Sequence, residues 1–198
     1  MARSLASIAR RLASDRTGIA ALEFALIAPL LLVMYFLTME VAQGIETNKK
    51  IDRAGSMVAD LVTQQTTVNT AALDAMMAIG EATLQPYNRS QPTITITAIE
   101  LSTDATPTAK VVWSRKLADG AFTAGPAKGD TATVPDSLKI KGSFLVRVES
   151  ALAYAPVITW AAEDKPVLGL AAAFDGIAMK ETYYLRPRMS TSVPCSDC

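Results

Sequence analysis

The chain has 198 residues, with 19 Lys and Arg balanced by 19 Asp and Glu, two cysteines and no histidine. That length holds a membrane segment and one small domain. The missing histidine removes any imidazole base, imidazole metal ligand or His-based triad, and the balanced charge argues against a nucleic-acid partner.

Residues 1–18 are rich in Arg and small residues. Leu5, Ile8, Ala9 and Leu12 fall at helical spacing with Arg3, Arg10 and Arg11 beside them, which suggests a short helix lying on an anionic membrane face. Without this leader's four Arg and one Asp, the remainder is net acidic by three.

From Ile19 to Met39 the chain is apolar, with one charge, Glu23, and one helix breaker, Pro29. At about 1.5 Å per residue this makes a helix of roughly 30 Å, the hydrocarbon thickness of a bilayer. In lipid the backbone must satisfy its own hydrogen bonds, so a single spanning segment is helical. We expect a transmembrane helix over 19–41, with Pro29 as a kink site. Four Arg precede it, and Lys49, Lys50 and Arg53 follow within fifteen residues; this modest bias places the N-terminus inside.

Beyond Met39 the helix continues through Val41, Ile45, Ile51, Met57, Val58, Leu61 and Val62 at imperfect helical spacing. Gly44 and Gly55 should weaken it by about 1 kcal/mol each. The run Thr63-Gln-Gln-Thr-Thr67 breaks the pattern. A second helix follows, capped by Asn69 or Thr70, with Leu73, Met76, Met77, Ile79 and Leu84 as its apolar side and Pro86 as its end. The methionines read as core filler.

From Gln91 the period changes to two. Thr93–Thr97 predicts a strand continuing to Leu101, and Thr108–Leu117 a second. Residues 118–136 lack periodicity and hold several Gly and Pro, so a long loop is expected. Ser143–Leu152 predicts a third strand and Gly176–Leu185 the last. Residues 155–175 between them read as an apolar connection, whose Val167–Ala173 run is too short to span a bilayer. These elements predict an α+β fold, with an antiparallel sheet of about four strands packed on helix. The expected divisions are a leader (1–18), the span (19–41), a helical stalk with the second helix (42–85), a β-rich domain (86–189) and a tail (190–198).

The tail ends Cys195-Ser-Asp-Cys198. A redox pair should open a helix that lowers a thiolate pKa, but here the chain stops. A zinc site needs two further ligands, and the sequence has no His and no other Cys. A local Cys195–Cys198 disulfide is the default reading and a bridge between chains the other. Replacing both cysteines with Ser should leave folding largely intact if the tail is peripheral. No phosphate-binding Gly loop and no paired carboxylates stand out. We therefore expect no catalytic residues, no cofactor, no metal and no small-molecule substrate.

Gly18 and Glu23 carry the sharpest signal. A basic leader, Gly18, a glutamate five residues later, then Phe24 and Pro29 fall into place together, the last three within Ala20-Ala-Leu-Glu-Phe-Ala-Leu-Ile-Ala-Pro-Leu-Leu-Leu. This segment resembles the class IVb prepilins, and within them the TadE-like proteins of the Flp (Tad) pilus system. The resemblance is strongest over about 35 residues. It implies a pilin-like domain in the periplasm behind an inner-membrane span, and cleavage between Gly18 and Ile19 by a prepilin peptidase. It also implies assembly contacts through Glu23 and Phe24 with the major Flp pilin and other pilin-like subunits. The closing Tyr183-Tyr-Leu-Arg-Pro-Arg188 also resembles the ends of TadE-like chains; an edge strand with solvated arginines explains it equally well. Two other functions compete: an uncleaved single-pass envelope anchor with a protein-binding domain, in which Glu23 only reaches for the headgroups, and a membrane-tethered thiol oxidoreductase.

Overall fold

A computed structural model describes residues 18–156 and 177–198. Of the expected leader (1–18) all but Gly18, and of the apolar connection (155–175) all from 157 on, with its 167–173 run, lie outside the described residues. The chain divides into two compact units, Met1–Ala42 and Gln43–Cys198. Helix α1, Ile19–Thr63, contributes to both.

In the second unit, α1 presents Ile51, Ala54, Val58, Ala59 and Val62 as a fully buried face; the helical spacing predicts Ile51, Val58 and Val62 there, whereas Ile45 and Met57 lie exposed and the small Ala54 and Ala59 take their place. Its end is marked by Thr63, whose hydroxyl donates back to the carbonyls of Ala59 and Asp60. Helix α2, Thr70–Ala82, begins as expected: the Asn69 carboxamide accepts the Ala72 N–H at 2.7 Å, satisfying one of the first turn's free donors. It stops at Ala82, four residues before Pro86, though Leu84 is still buried.

Strands β1 (Thr93–Leu101), β2 (Ala109–Ala118), β3 (Ala121–Thr123), β4 (Phe144–Tyr154) and β5 (Ile177–Leu185) form one sheet in the order β3-β2-β1-β4-β5. Every pairing is antiparallel. The fold is α+β. The fifth strand is the difference from expectation, and it corrects the long loop predicted from 118. Asp119 and Gly120 both adopt positive φ, 51° and 71°, and turn β2 back into β3. Asp-Gly is the dipeptide that such a two-residue hairpin turn favours.

Alternation sorts the sheet's side chains. Ile94, Ile96 and Ala98 of β1, Trp113 and Leu117 of β2, and Phe144, Val146 and Val148 of β4 join α1 and α2 in the main core. The register slips between Ala98, which faces Trp113, and Ile99, which faces Val111. The extra residue, Val112, makes a β-bulge. It swings Val111 and Ala109 to the opposite face, where they join Ile99, Leu101 and Leu145 in a second, smaller core closed by Ala132 and Val134. Helical stalk, sheet and tail thus belong to one compact unit.

The tail is not peripheral. Val193 is fully buried, and its carbonyl accepts the Trp113 indole N–H at 2.7 Å. Val68 N–H donates to Pro194 O, and Ser196 N–H donates to Val68 O. The chain's last residues also serve the helix ends: Arg188 N–H donates to Thr63 O at the end of α1, and Asp197 accepts the Thr70 N–H at the start of α2.

Candidate functional site

The first unit is described by the exposed part of α1. Leu22, Phe24, Leu26, Leu30, Leu31, Met34 and Tyr35 all lie exposed, around the helix rather than along one stripe. A helix apolar all round belongs in a core or a bilayer, and none of the most apolar window of this one is buried among the described residues. By length and composition it is able to cross a membrane once, which fits a single-pass anchor.

Gly18 stands at the entrance of this helix. Its carbonyl accepts the Leu22 N–H at 3.1 Å, the helix's first intrahelical bond. A Cβ at Gly18 would meet no described residue within 4 Å. Ile19 and Glu23 are four apart on the same helix and therefore share a face. Phe24, 70 % exposed, is next to Glu23. Pro29 lies inside the continuous helix; lacking an N–H, it leaves the Ala25 carbonyl without its helical donor. The structure brings Gly18, Ile19, Glu23 and Phe24 to the first two turns of one helix and leaves Cys195 and Cys198 in the second unit.

Residues 18–60 match the family described as TadE-like protein. This segment is TadE-like. The match ends within α1, so the TadE-like region covers the apolar helix and most of its continuation, while α2, the sheet and the tail lie beyond it. No curated protein matches the chain, and no solved structure does.

Outside the TadE-like helix's exposed part, two polar clusters are the candidates for chemistry. One is the tail. Cys195 and Cys198 are joined by a disulfide with Cα atoms 5.6 Å apart. Within that small loop, Asp197 accepts both the Thr70 backbone N–H, at 2.7 Å, and the Thr70 hydroxyl, at 2.8 Å. The backbone hydrogen bond is the main reason its carboxyl is held below the usual carboxylate range. A carboxylate at the start of α2 is also favoured by the helix dipole. Cys195, Asp197 and Cys198 bring metal-ligating atoms together, but the two sulfurs are tied to each other.

The other is a cleft beside the continuation of α1, a cavity of about 270 Å³ lined by Gln43, Glu46, Lys50, Pro86, Tyr87 and Arg89 among others. Tyr87 and Tyr154 stack with centroids 5.6 Å apart. The Arg89 guanidinium lies 4.6 Å from the Tyr87 centroid and 5.6 Å from that of Tyr154. Sequence reasoning missed this cluster, because Tyr154 is over sixty residues from Arg89 and no spacing rule joins them. It also missed the Asp74 carboxylate gripping Arg115 through two bonds of 2.7 Å, and Asp52 accepting the Tyr183 hydroxyl. Those pairs tie α2 to β2 and α1 to β5.

Proposed function

We propose that the chain is a non-enzymatic, TadE-like minor pilin or pseudopilin that takes part in assembling the Flp (Tad) type IVb pilus. In this reading the leader stays in the cytoplasm, α1 crosses the inner membrane, and the unit from Gln43 lies in the periplasm. A prepilin peptidase cuts between Gly18 and Ile19. The observation that carries the reading is an exposed, TadE-like apolar helix with Gly18 at its entrance and Glu23 one turn in.

The chemistry follows from that placement. Cleavage removes the Gly18 carbonyl that accepts the Leu22 N–H and leaves a positive α-amino group on Ile19. That charge sits at the positive end of the helix dipole, which disfavours it. An ionised Glu23 in lipid is also unfavourable, by up to about 3 kcal/mol at the bilayer centre. Pairing the Ile19 ammonium of one subunit with Glu23 of its neighbour relieves both and sets their register, while Phe24 packs beside the pair. Major pilin and other pilin-like subunits are the partners this pairing suits.

Glu23→Gln beside Gly18→Ala tests it. Glu23→Gln should be inserted and cut nearly as the natural chain is, with mature mass starting at Ile19, yet fail to pull down major pilin or support fibres. Gly18→Ala should impair the cut itself. Normal piliation with Glu23→Gln reduces the residue to a headgroup contact. An intact mass starting at Met1 or Ala2 in cells with an active system favours the uncleaved anchor instead.

A further inference from the structure

The cleft beside α1 holds cations with donors to spare. Arg89 Nε donates to Ala155 O at 2.6 Å, and Nη2 reaches Gln43 Oε1 at 3.3 Å and the Tyr154 hydroxyl at 3.4 Å. Nη1 has no hydrogen bond to any described residue. The Lys50 ammonium, with three donors, meets Gln85 O at 3.0 Å and Glu46 Oε1 at 3.1 Å, which leaves one. With Glu46, Lys50 and Arg89 the lining carries a net charge of plus one. A guanidinium seated on aromatic rings is fixed in orientation and still able to grip an oxyanion.

We propose that this cleft holds the phosphodiester of an anionic phospholipid headgroup. A phosphodiester carries one negative charge and neutralises the cleft; a phosphate dianion would leave it net negative beside Glu46. The source follows from the chain's connectivity. Gln43 lines the cleft and comes four residues after Met39, where the apolar run ends. Four residues reach at most about 14 Å, and the headgroup layer is itself about 5–8 Å deep on each side of the hydrocarbon. Tyr, Lys and Arg are the side chains that anchor proteins at that depth. The proposal rests on α1 spanning the membrane. A bound headgroup would seat the Gln43–Cys198 unit on the bilayer surface from which a subunit must be drawn during assembly.

The test uses the full-length protein in vesicles of phosphatidylcholine doped with phosphatidylglycerol. After mild detergent extraction, native mass spectrometry counts the phosphatidylglycerol retained per chain. Arg89→Gln and Lys50→Gln should each lower the retained fraction by about fivefold, the size expected for one cation near an anionic surface. Glu46→Gln removes the opposing charge and should raise it. Thermal midpoints report whether each variant is folded. Equal retention of phosphatidylcholine, or unchanged retention in all three folded variants, overturns the proposal. Displacement of the lipid by millimolar inorganic phosphate moves the site to a free anion and also overturns it. Vesicle flotation keeps the two readings separate. A protein that does not float refutes the membrane anchor, whereas one that floats without favouring phosphatidylglycerol refutes the headgroup site alone.

Discussion

Gly44 and Gly55 lie eleven residues apart on α1, and helix propensity treats them alike: each should gain about 1 kcal/mol on replacement by Ala. The packing separates them. A Cβ at Gly44 meets no described residue within 4 Å, whereas one at Gly55 would lie 2.7 Å from Ser150 Oγ and 3.2 Å from Tyr183 Cδ2. Ser150 is fully buried, and its hydroxyl donates to Ile51 O at 3.1 Å. Turning that hydroxyl away leaves a buried polar group unpaired, at about 1–3 kcal/mol, and leaving it in place forces α1 off the sheet, at about 1–3 kcal/mol for overpacking. Either route outweighs or cancels the propensity gain. Gly44→Ala should therefore stabilise by about 0.5–1 kcal/mol, and Gly55→Ala should destabilise by up to about 2 kcal/mol once its propensity gain is subtracted. Thermal unfolding of the full chain in detergent, followed by circular dichroism, reads the difference; at this size 1 kcal/mol moves the midpoint by about 2–4 °C. Adding Ser150→Ala to Gly55→Ala makes room and should recover part of the loss, giving a coupling of about 1 kcal/mol between neighbours. If Gly55→Ala stabilises as much as Gly44→Ala, the close approach of α1 to β4 and β5 is wrong.

Three other outcomes follow from the same unit. Asp197→Asn should lower the unfolding midpoint at neutral pH; because the carboxyl's pKa is depressed in the folded chain, its contribution is present above the ordinary carboxylate range and is lost as pH falls through the folded value, so variant and natural chain should converge in acid. Replacing both Cys195 and Cys198 with Ser should cost up to about 2 kcal/mol and leave the Trp113–Val193 contact in place; loss of the folded transition altogether would mean that the disulfide, rather than Val193 and the backbone bonds, holds the tail. Tyr183 is pushed up to about 12 by its hydrogen bond to Asp52, then by burial and by the charges of Asp52 and Glu181. The folded chain therefore holds that proton more tightly than the unfolded one does, and the contribution is full below about pH 10 and lost as pH rises through about 12. Denaturation at alkaline pH should show this loss in the natural chain and less of it in Tyr183→Phe.

Local patterns alone determined much of this protein. An apolar run broken only by Glu23 and Pro29 reads as a bilayer-length helix, because hydrocarbon admits no unpaired backbone. Periods of 3.6 and 2 place α1, α2 and the four long strands because each element must turn one face to the core. The conjunction of Gly18, Glu23, Phe24 and Pro29 marks the TadE-like segment because all four lie within twelve residues. The Asp119-Gly120 dipeptide favours a hairpin turn, yet residues 118–136 read as a loop, because the return strand is three exposed residues with no hydrophobic alternation to announce it. What tertiary structure decided are contacts between residues distant in sequence. Gly55 is a site of close approach rather than a weak point only because β4 and β5 pass beneath it. The tail is part of the domain because Trp113 and Val68 present a donor and backbone partners to Val193, Pro194 and Ser196. Arg89 acquires its aromatic seat from Tyr154, brought there by β4. In each case the side chain's chemistry is written in the chain, but its partner is chosen by the sheet order, which local propensity does not encode.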